Sequence, residues 1–66
     1  VKMPSVANVV RDEERNITYR VMAYRNLTRD ECLVAIANAN RTKSGKPKRP
    51  KPNTTVTVVT IIGFNE

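Results

Sequence analysis

The sequence predicts an α+β fold in which one helix covers a small three-stranded antiparallel sheet, in the element order β-β-α-β. Three observations carry this. Residues 17 to 25 alternate with period two, Thr28-x-x-Glu31 opens a stretch with helical spacing, and the run from Thr54 to Phe64 is dense in β-branched residues. At 66 residues the chain is expected to form one domain, residues 1–66. A chain this short buries only ~60% of its extended surface. With no Trp and one Phe, its core has to come mainly from Val, Ile, Ala and Leu.

The first strand is the Val-rich run Val6 to Val10, which ends at Arg11-Asp12-Glu13-Glu14-Arg15-Asn16, a cluster with the polarity of an exposed turn. The second arm of this hairpin runs from Ile17 to Arg25. Ile17, Tyr19, Val21 and Ala23 fall on one face, and Thr18, Arg20, Met22 and Tyr24 on the other. One face is the more apolar, as for a sheet covered on one side.

At Asn26-Leu27-Thr28 the period breaks. Thr28 and Glu31 form a capping box, and Asp30 and Glu31 complement the positive end of a helix. Leu27 before the cap and Cys32 at the fourth helical position suit a hydrophobic staple, and Cys32, Leu33, Ile36 and Ala39 recur along one face. The helix is expected from Arg29 to about Asn40. Residues 42–53 then hold Gly45, Pro47, Pro50 and Pro52, which exclude regular helix and interior strand and favour a flexible, extended loop. The last strand, Thr54 to Phe64, is apolar on both faces: Val56, Val58, Ile62 and Phe64 on one, Val59 and Ile61 on the other.

Connectivity limits the sheet. Pairing the last strand antiparallel beside the first gives the expected strand order 2-1-3; a right-handed β-α-β crossover would instead set it parallel beside the second. A last strand with two apolar faces also leads to the expectation that a second copy of the chain pairs through the sheet.

The charge is unevenly placed. Of the 12 Lys and Arg residues, Arg41, Lys43, Lys46, Lys48, Arg49 and Lys51 fall in one stretch without an acid, which leaves the rest of the chain with equal numbers of bases and acids and accounts for the formal +6. A basic arm on a neutral body is suited to a polyanion, whether nucleic acid, DNA or RNA, or an acidic protein surface; the bland reading is a solvated loop. Proline stiffening lowers the ordering entropy lost when such an arm follows a phosphate chain. Lys48-Arg49-Pro50 looks like the minor-groove arms of DNA-binding tails, although the Arg-Gly-Arg-Pro core of an AT-hook is missing. Arg20 and Arg25, with Tyr24 between them, extend the candidate nucleic-acid surface by two cations and a stacking ring.

Enzymatic chemistry is disfavoured. The chain has no His, which removes imidazole bases and ligands, and its single Cys excludes an internal disulfide and a cysteine zinc site. Asp12, Glu13 and Glu14 point apart in an extended turn, and Cys32 lies on the apolar face of the helix, where a small core residue is the better reading. Neither a cofactor nor a metal is expected. Asn16, Asn26, Asn40 and Asn53 each begin an Asn-x-Thr triplet. They are read as turn Asn followed by Thr entering a strand or a cap, rather than as glycosylation sites. No run approaches the ~18 apolar residues of a membrane span, and Val1-Lys2-Met3-Pro4-Ser5 lacks the apolar core of a signal peptide, so a soluble cytoplasmic protein is expected.

The sequence therefore points to a small non-enzymatic protein that binds nucleic acid, or part of the nucleic-acid machinery, through its basic loop. The alternative is a protein-protein module, a regulator or inhibitor that docks an acidic partner. Small phage-encoded inhibitors of host RNA polymerase are similar in element order, a likeness of layout without a shared motif.

Overall fold

The computed structural model describes residues 2–41 and 50–65 of the chain. Its elements follow the expected order: β1 (Val6–Asp12), β2 (Ile17–Ala23), α1 (Arg29–Ala39) and β3 (Thr55–Val59). They form a three-stranded sheet packed with one helix, an α+β fold.

The strand order differs from the expected 2-1-3. It is β1-β2-β3, with β1 antiparallel and β3 parallel to β2, so the sheet is mixed rather than antiparallel. The inward rows explain the choice. β2 turns Ile17, Tyr19, Val21 and Ala23 to the core, all of them buried, with Ile17 and Val21 at 0% exposure. Placed beside β2, β3 brings Val56 level with Tyr19 and Val58 level with Val21. The corresponding row of β1 includes Asn8 and Asp12, which lie level with Val21 and Ile17. An order of 2-1-3 would have put that mixed row at the centre of the sheet and the most apolar row at an edge.

The hairpin closes through residues whose side chains suit it. Asp12 Oδ1 accepts from the Arg15 N–H at 3.2 Å, and Asn16 adopts a positive φ of 55°, a conformation Asn tolerates better than most residues. Asn53, just before β3, has φ 62°, and the Asn16 Nδ2 donates to Asn53 Oδ1 at 3.1 Å. Three of the Asn-x-Thr triplets thus serve local structure: Asn16 leads into β2, Asn26 precedes the cap Thr28, and Asn53 leads to Thr55 at the start of β3. Asn40 is the C-cap of α1.

The helix start is as expected. Glu31 N–H donates to Thr28 Oγ1 at 3.2 Å, and Thr28 N–H donates to Glu31 Oε1 at 2.9 Å. Both halves of the capping box are present. The buried stripe is Cys32, Ala35 and Ile36 rather than the expected Cys32, Leu33, Ile36 and Ala39. Leu33 lies at the rim, 43% exposed, and Ala39 is exposed. Leu27, Val56 and Ile62 complete the core as half-buried neighbours.

β3 is shorter than the sequence implied. It ends at Val59 instead of running to Phe64, and residues 62–65 form a turn in which Gly63 takes φ 91°. That left-handed conformation is what only glycine adopts at little cost. The turn sends Phe64 back across Tyr24, away from the inward row to which simple alternation assigned it.

One polar residue ties the elements together. Asn8 Nδ2 lies 3.3 Å from both Val6 O and Val21 O and 3.2 Å from Arg25 O, while its Oδ1 accepts from Leu27 N–H at 2.8 Å. A single amide thereby links β1, β2 and the approach to α1.

Candidate functional site

The helix covers one face of the sheet and leaves the other open. Register fixes what that open face presents. Arg11, Thr18 and Thr55 form one row across the three strands, Val9, Arg20 and Thr57 the next, and Ala7, Met22 and Val59 the third. No carboxylate occupies any of these positions. Val9 and Val59 are 61% and 67% exposed, and Ile61 beyond β3 is 81% exposed.

Among the sequence-predicted residues, Arg20 sits in the middle of this face. It is exposed, with no hydrogen-bond or ion-pair partner among the described residues. Arg11, which the sequence assigned to the turn, lies at the hairpin end of the same face. Its guanidinium is held by Thr18 Oγ1 and Asn16 Oδ1, both at 2.6 Å, and by Glu13 Oε1 at 3.2 Å. This pairing accounts for Glu13, while Asp12 accepts from the Arg15 N–H within the turn.

Tyr24 is half-buried and continues the outward alternation of β2. Its ring meets the Phe64 ring edge-on, with centroids 5.2 Å apart. Lys2 Nζ lies 5.3 Å from the Tyr24 centroid, within cation-π range, and Tyr24 Oη donates to Lys2 O at 3.3 Å. The chain after β3 remains joined to β2 here, through Thr60 N–H to Met22 O at 3.0 Å and Tyr24 N–H to Ile62 O at 3.5 Å.

Arg25 has another task. Its Nη1 donates to Glu31 Oε1 at 3.0 Å and its Nη2 to Glu31 Oε2 at 2.6 Å, a bidentate pair that extends the capping box back to the end of β2. Hydrogen bonding from Arg25 first, and then from the Thr28 backbone, lowers the Glu31 pKa to about 2. The cation is committed to positioning the helix.

Arg41 and Lys51, at the two ends of the basic stretch, are among the described residues. Arg41 is exposed, and its N–H reaches Asn38 O at 3.4 Å. Lys43, Lys46, Lys48 and Arg49 lie outside the described residues. Lys51 is exposed, and its carbonyl accepts from Thr54 Oγ1 at 2.6 Å. Asn53 N–H donates to Arg15 O at 3.0 Å, and Thr18 N–H to Thr54 O at 3.1 Å. The stretch therefore returns to the sheet at its hairpin end, beside the Arg11-Thr18-Thr55 row. Asn40 and Pro50, one on each flank of the stretch, line a common hollow of about 230 Å³ with Ala39 and residues 56–58.

Cys32 is a core residue, 2% exposed. Burial pushes its thiol pKa up, and the Glu31 charge adds to the shift. This is the opposite of what an activated nucleophile requires.

Compared with protein-family models, with curated proteins and with solved structures, the chain finds no match in any of the three.

Two residues of this region escaped the sequence reading. Asn8 looked like one more polar position in a strand, because nothing local shows that its amide will meet a loop some 17 residues on. Phe64 was assigned to the wrong face because its alternation was counted straight through the turn at Gly63. That glycine, placed between apolar residues, was the available signal.

Proposed function

We propose that the chain is a non-enzymatic nucleic-acid-binding protein whose basic stretch, Arg41 to Lys51, supplies the electrostatic contact and whose exposed Arg20 extends it. The observation that carries this reading is the anchoring of the stretch. Six cations without an intervening acid leave the helix at Arg41 and rejoin the sheet through Lys51, Asn53 and Thr54, beside a face that carries no carboxylate at its strand positions. Each phosphate neutralised releases counterions, so six contacts to a duplex would give a log-log salt slope of about −5. Tyr24 adds an aromatic ring to this surface, while Arg25 acts through the helix cap.

The alternative is a regulator or inhibitor that docks an acidic protein surface. The exposed Val9, Val59 and Ile61 support it, since they offer apolar area beside the charge.

Changing Lys46, Lys48, Arg49 and Lys51 together to Gln tests the proposal. Fluorescence anisotropy with labelled DNA and RNA over a salt series should show a steep loss of affinity and a slope flattened by up to about 3.6. The melting temperature should barely move. Unchanged affinity and slope would assign these cations to solvation alone, and a parent that binds neither DNA nor RNA at low salt would pass the role to the protein-protein reading.

A further inference from the structure

We infer that the open face of the sheet is a platform for single-stranded nucleic acid, whose bases lie over Phe64 and the aliphatic patch while its phosphates pass Arg20 toward Lys51. This rests on the nucleic-acid reading above and specifies the form of the ligand and the surface that selects it.

The composition of the face limits what can occupy it. Three of its side chains, Val9, Val59 and Ile61, are apolar and more than half exposed, and Phe64 is 49% exposed beside them. Burying them favours a ligand with apolar surface. Charge then discriminates. Among the described residues, Arg20 stands within this group without a partner, Arg11 lies at one end and Lys2 at the other, and Glu13, on Arg11, is the acid in contact with them.

A second copy of the chain is a poor occupant by this criterion. In a two-fold contact the same patch meets itself, so Arg20, at the middle of the face, would approach the partner's equivalent cation, and none of the strand positions around it carries a carboxylate. Desolvating like charges is costly. The occupant that fits is anionic and has apolar faces.

A duplex meets only half of that description. Its base faces are stacked inside, and a flat sheet face reaches only phosphates, sugars and groove edges. An unpaired strand offers both parts, because each base has a π-face for an aromatic or aliphatic side chain and each phosphate a charge for Arg. The order of groups along the face suits a linear ligand. From Phe64 and Tyr24 the path runs over Met22 and Val59 to Arg20, and then to Thr18 and Thr55, near Lys51. Arg20 and Tyr24 are four residues apart, which is roughly 13 Å along an extended strand. One face of Tyr24 is taken by Lys2 and its ring abuts Phe64 edge-on, so Phe64 supplies the more open ring.

The test compares a short single-stranded oligonucleotide with a duplex of the same length, titrated against the parent, Phe64→Ala, Phe64→Leu and Arg20→Gln. Phe64→Leu keeps an apolar side chain against Tyr24 but removes the ring, which separates stacking from folding. The parent should prefer the single strand. Phe64→Ala and Phe64→Leu should weaken that binding by roughly five- to a hundredfold, the range expected for losing one base-aromatic stack, and leave duplex binding nearly unchanged. Arg20→Gln should weaken single-strand binding and flatten its salt slope by about 0.7. If these variants bind the single strand as the parent does, while loss of the basic stretch abolishes binding, the platform is overturned and the arm remains the contact. If the parent binds neither form at low salt, the nucleic-acid reading falls and the platform falls with it. A dimer in sedimentation that Val59→Arg or Ile61→Arg dissociates would also overturn the inference, since a second copy would then hold the face.

Discussion

The two faces of the sheet are built from the same three strands and obey different rules. Toward the helix, Val10, Ile17, Tyr19, Val21 and Val58 are buried in one cluster with Cys32, Ala35 and Ile36, and among the described residues no polar or charged residue is buried with them. Away from it, Thr18, Arg20 and Thr57 share the surface with exposed Val9 and Val59. The first face holds the fold together. The second leaves Val9 and Val59 exposed and should contribute less to that task. The difference between the two faces can therefore be measured as a difference in what mutation costs.

The largest effect is expected on the covered face. Ile17 is fully buried on the central strand, so Ile17→Ala removes its burial and leaves a cavity, at about 2–5 kcal/mol. A domain of this length is stable by only roughly 3–10 kcal/mol, at ~0.05–0.15 kcal/mol per residue. The variant should show a sharply reduced urea midpoint or be unfolded at room temperature, as read by far-UV circular dichroism. A midpoint close to the parent's would mean that the core does not centre on β2, and the contrast between the faces would break.

Much of this architecture was legible in the sequence, where the interactions that decide it are local. The alternation from Ile17 to Ala23 identifies the buried row, and Thr28 with Glu31 locates the helix start to the residue. What failed was non-local. Strand order depends on which inward row tolerates the central place, and that required setting the Asn8 and Asp12 row of β1 against the apolar row of β2. The expected β3 is too long because β-branched content continues through Thr60, Ile61 and Ile62, whereas the strand ends at Val59 and a turn follows at residues 62–65. Within the candidate site, the prominence of Arg20 followed from alternation alone. The diversion of Arg25 to Glu31 did not, since a bidentate pair across six residues depends on how the chain turns at Asn26.

A smaller effect is expected at the junction between the faces, where the helix is fastened to the end of β2. Thr28→Ala removes the acceptor for the Glu31 N–H and should cost about 0.5–2 kcal/mol. The Glu31 carboxylate gives the same junction a pH dependence. Its pKa falls from 4.5 in the reference state to about 2 in the folded chain, so the folded state prefers the ionised form. That stabilisation is fully present above pH 4.5 and is lost as the pH falls toward about 2. Glu31→Gln should be less stable than the parent at neutral pH, and the gap should close on acidification through this window. A gap that stays constant from pH 6 to about pH 2 would show that the loss comes from packing rather than from the charge.

The smallest effect is expected on the open face, and it sharpens the comparison most. Val59→Thr keeps the β-branched shape and strand propensity of the residue while replacing a methyl group with a hydroxyl at a position 67% exposed. On a face that only water covers, the change should lie within about 0.5 kcal/mol of zero, the usual range for surface substitutions. The same replacement at the buried Val58, one residue away, places an unpartnered hydroxyl in the core and should cost about 1–3 kcal/mol. Urea denaturation of the two variants side by side measures the contrast directly across adjacent positions of one strand. If Val59→Thr costs as much as Val58→Thr, and its cost grows with protein concentration, the open face is covered by a second copy in solution. If the cost is independent of concentration, the face carries part of the fold's own stability, and the division of labour between the two faces does not hold.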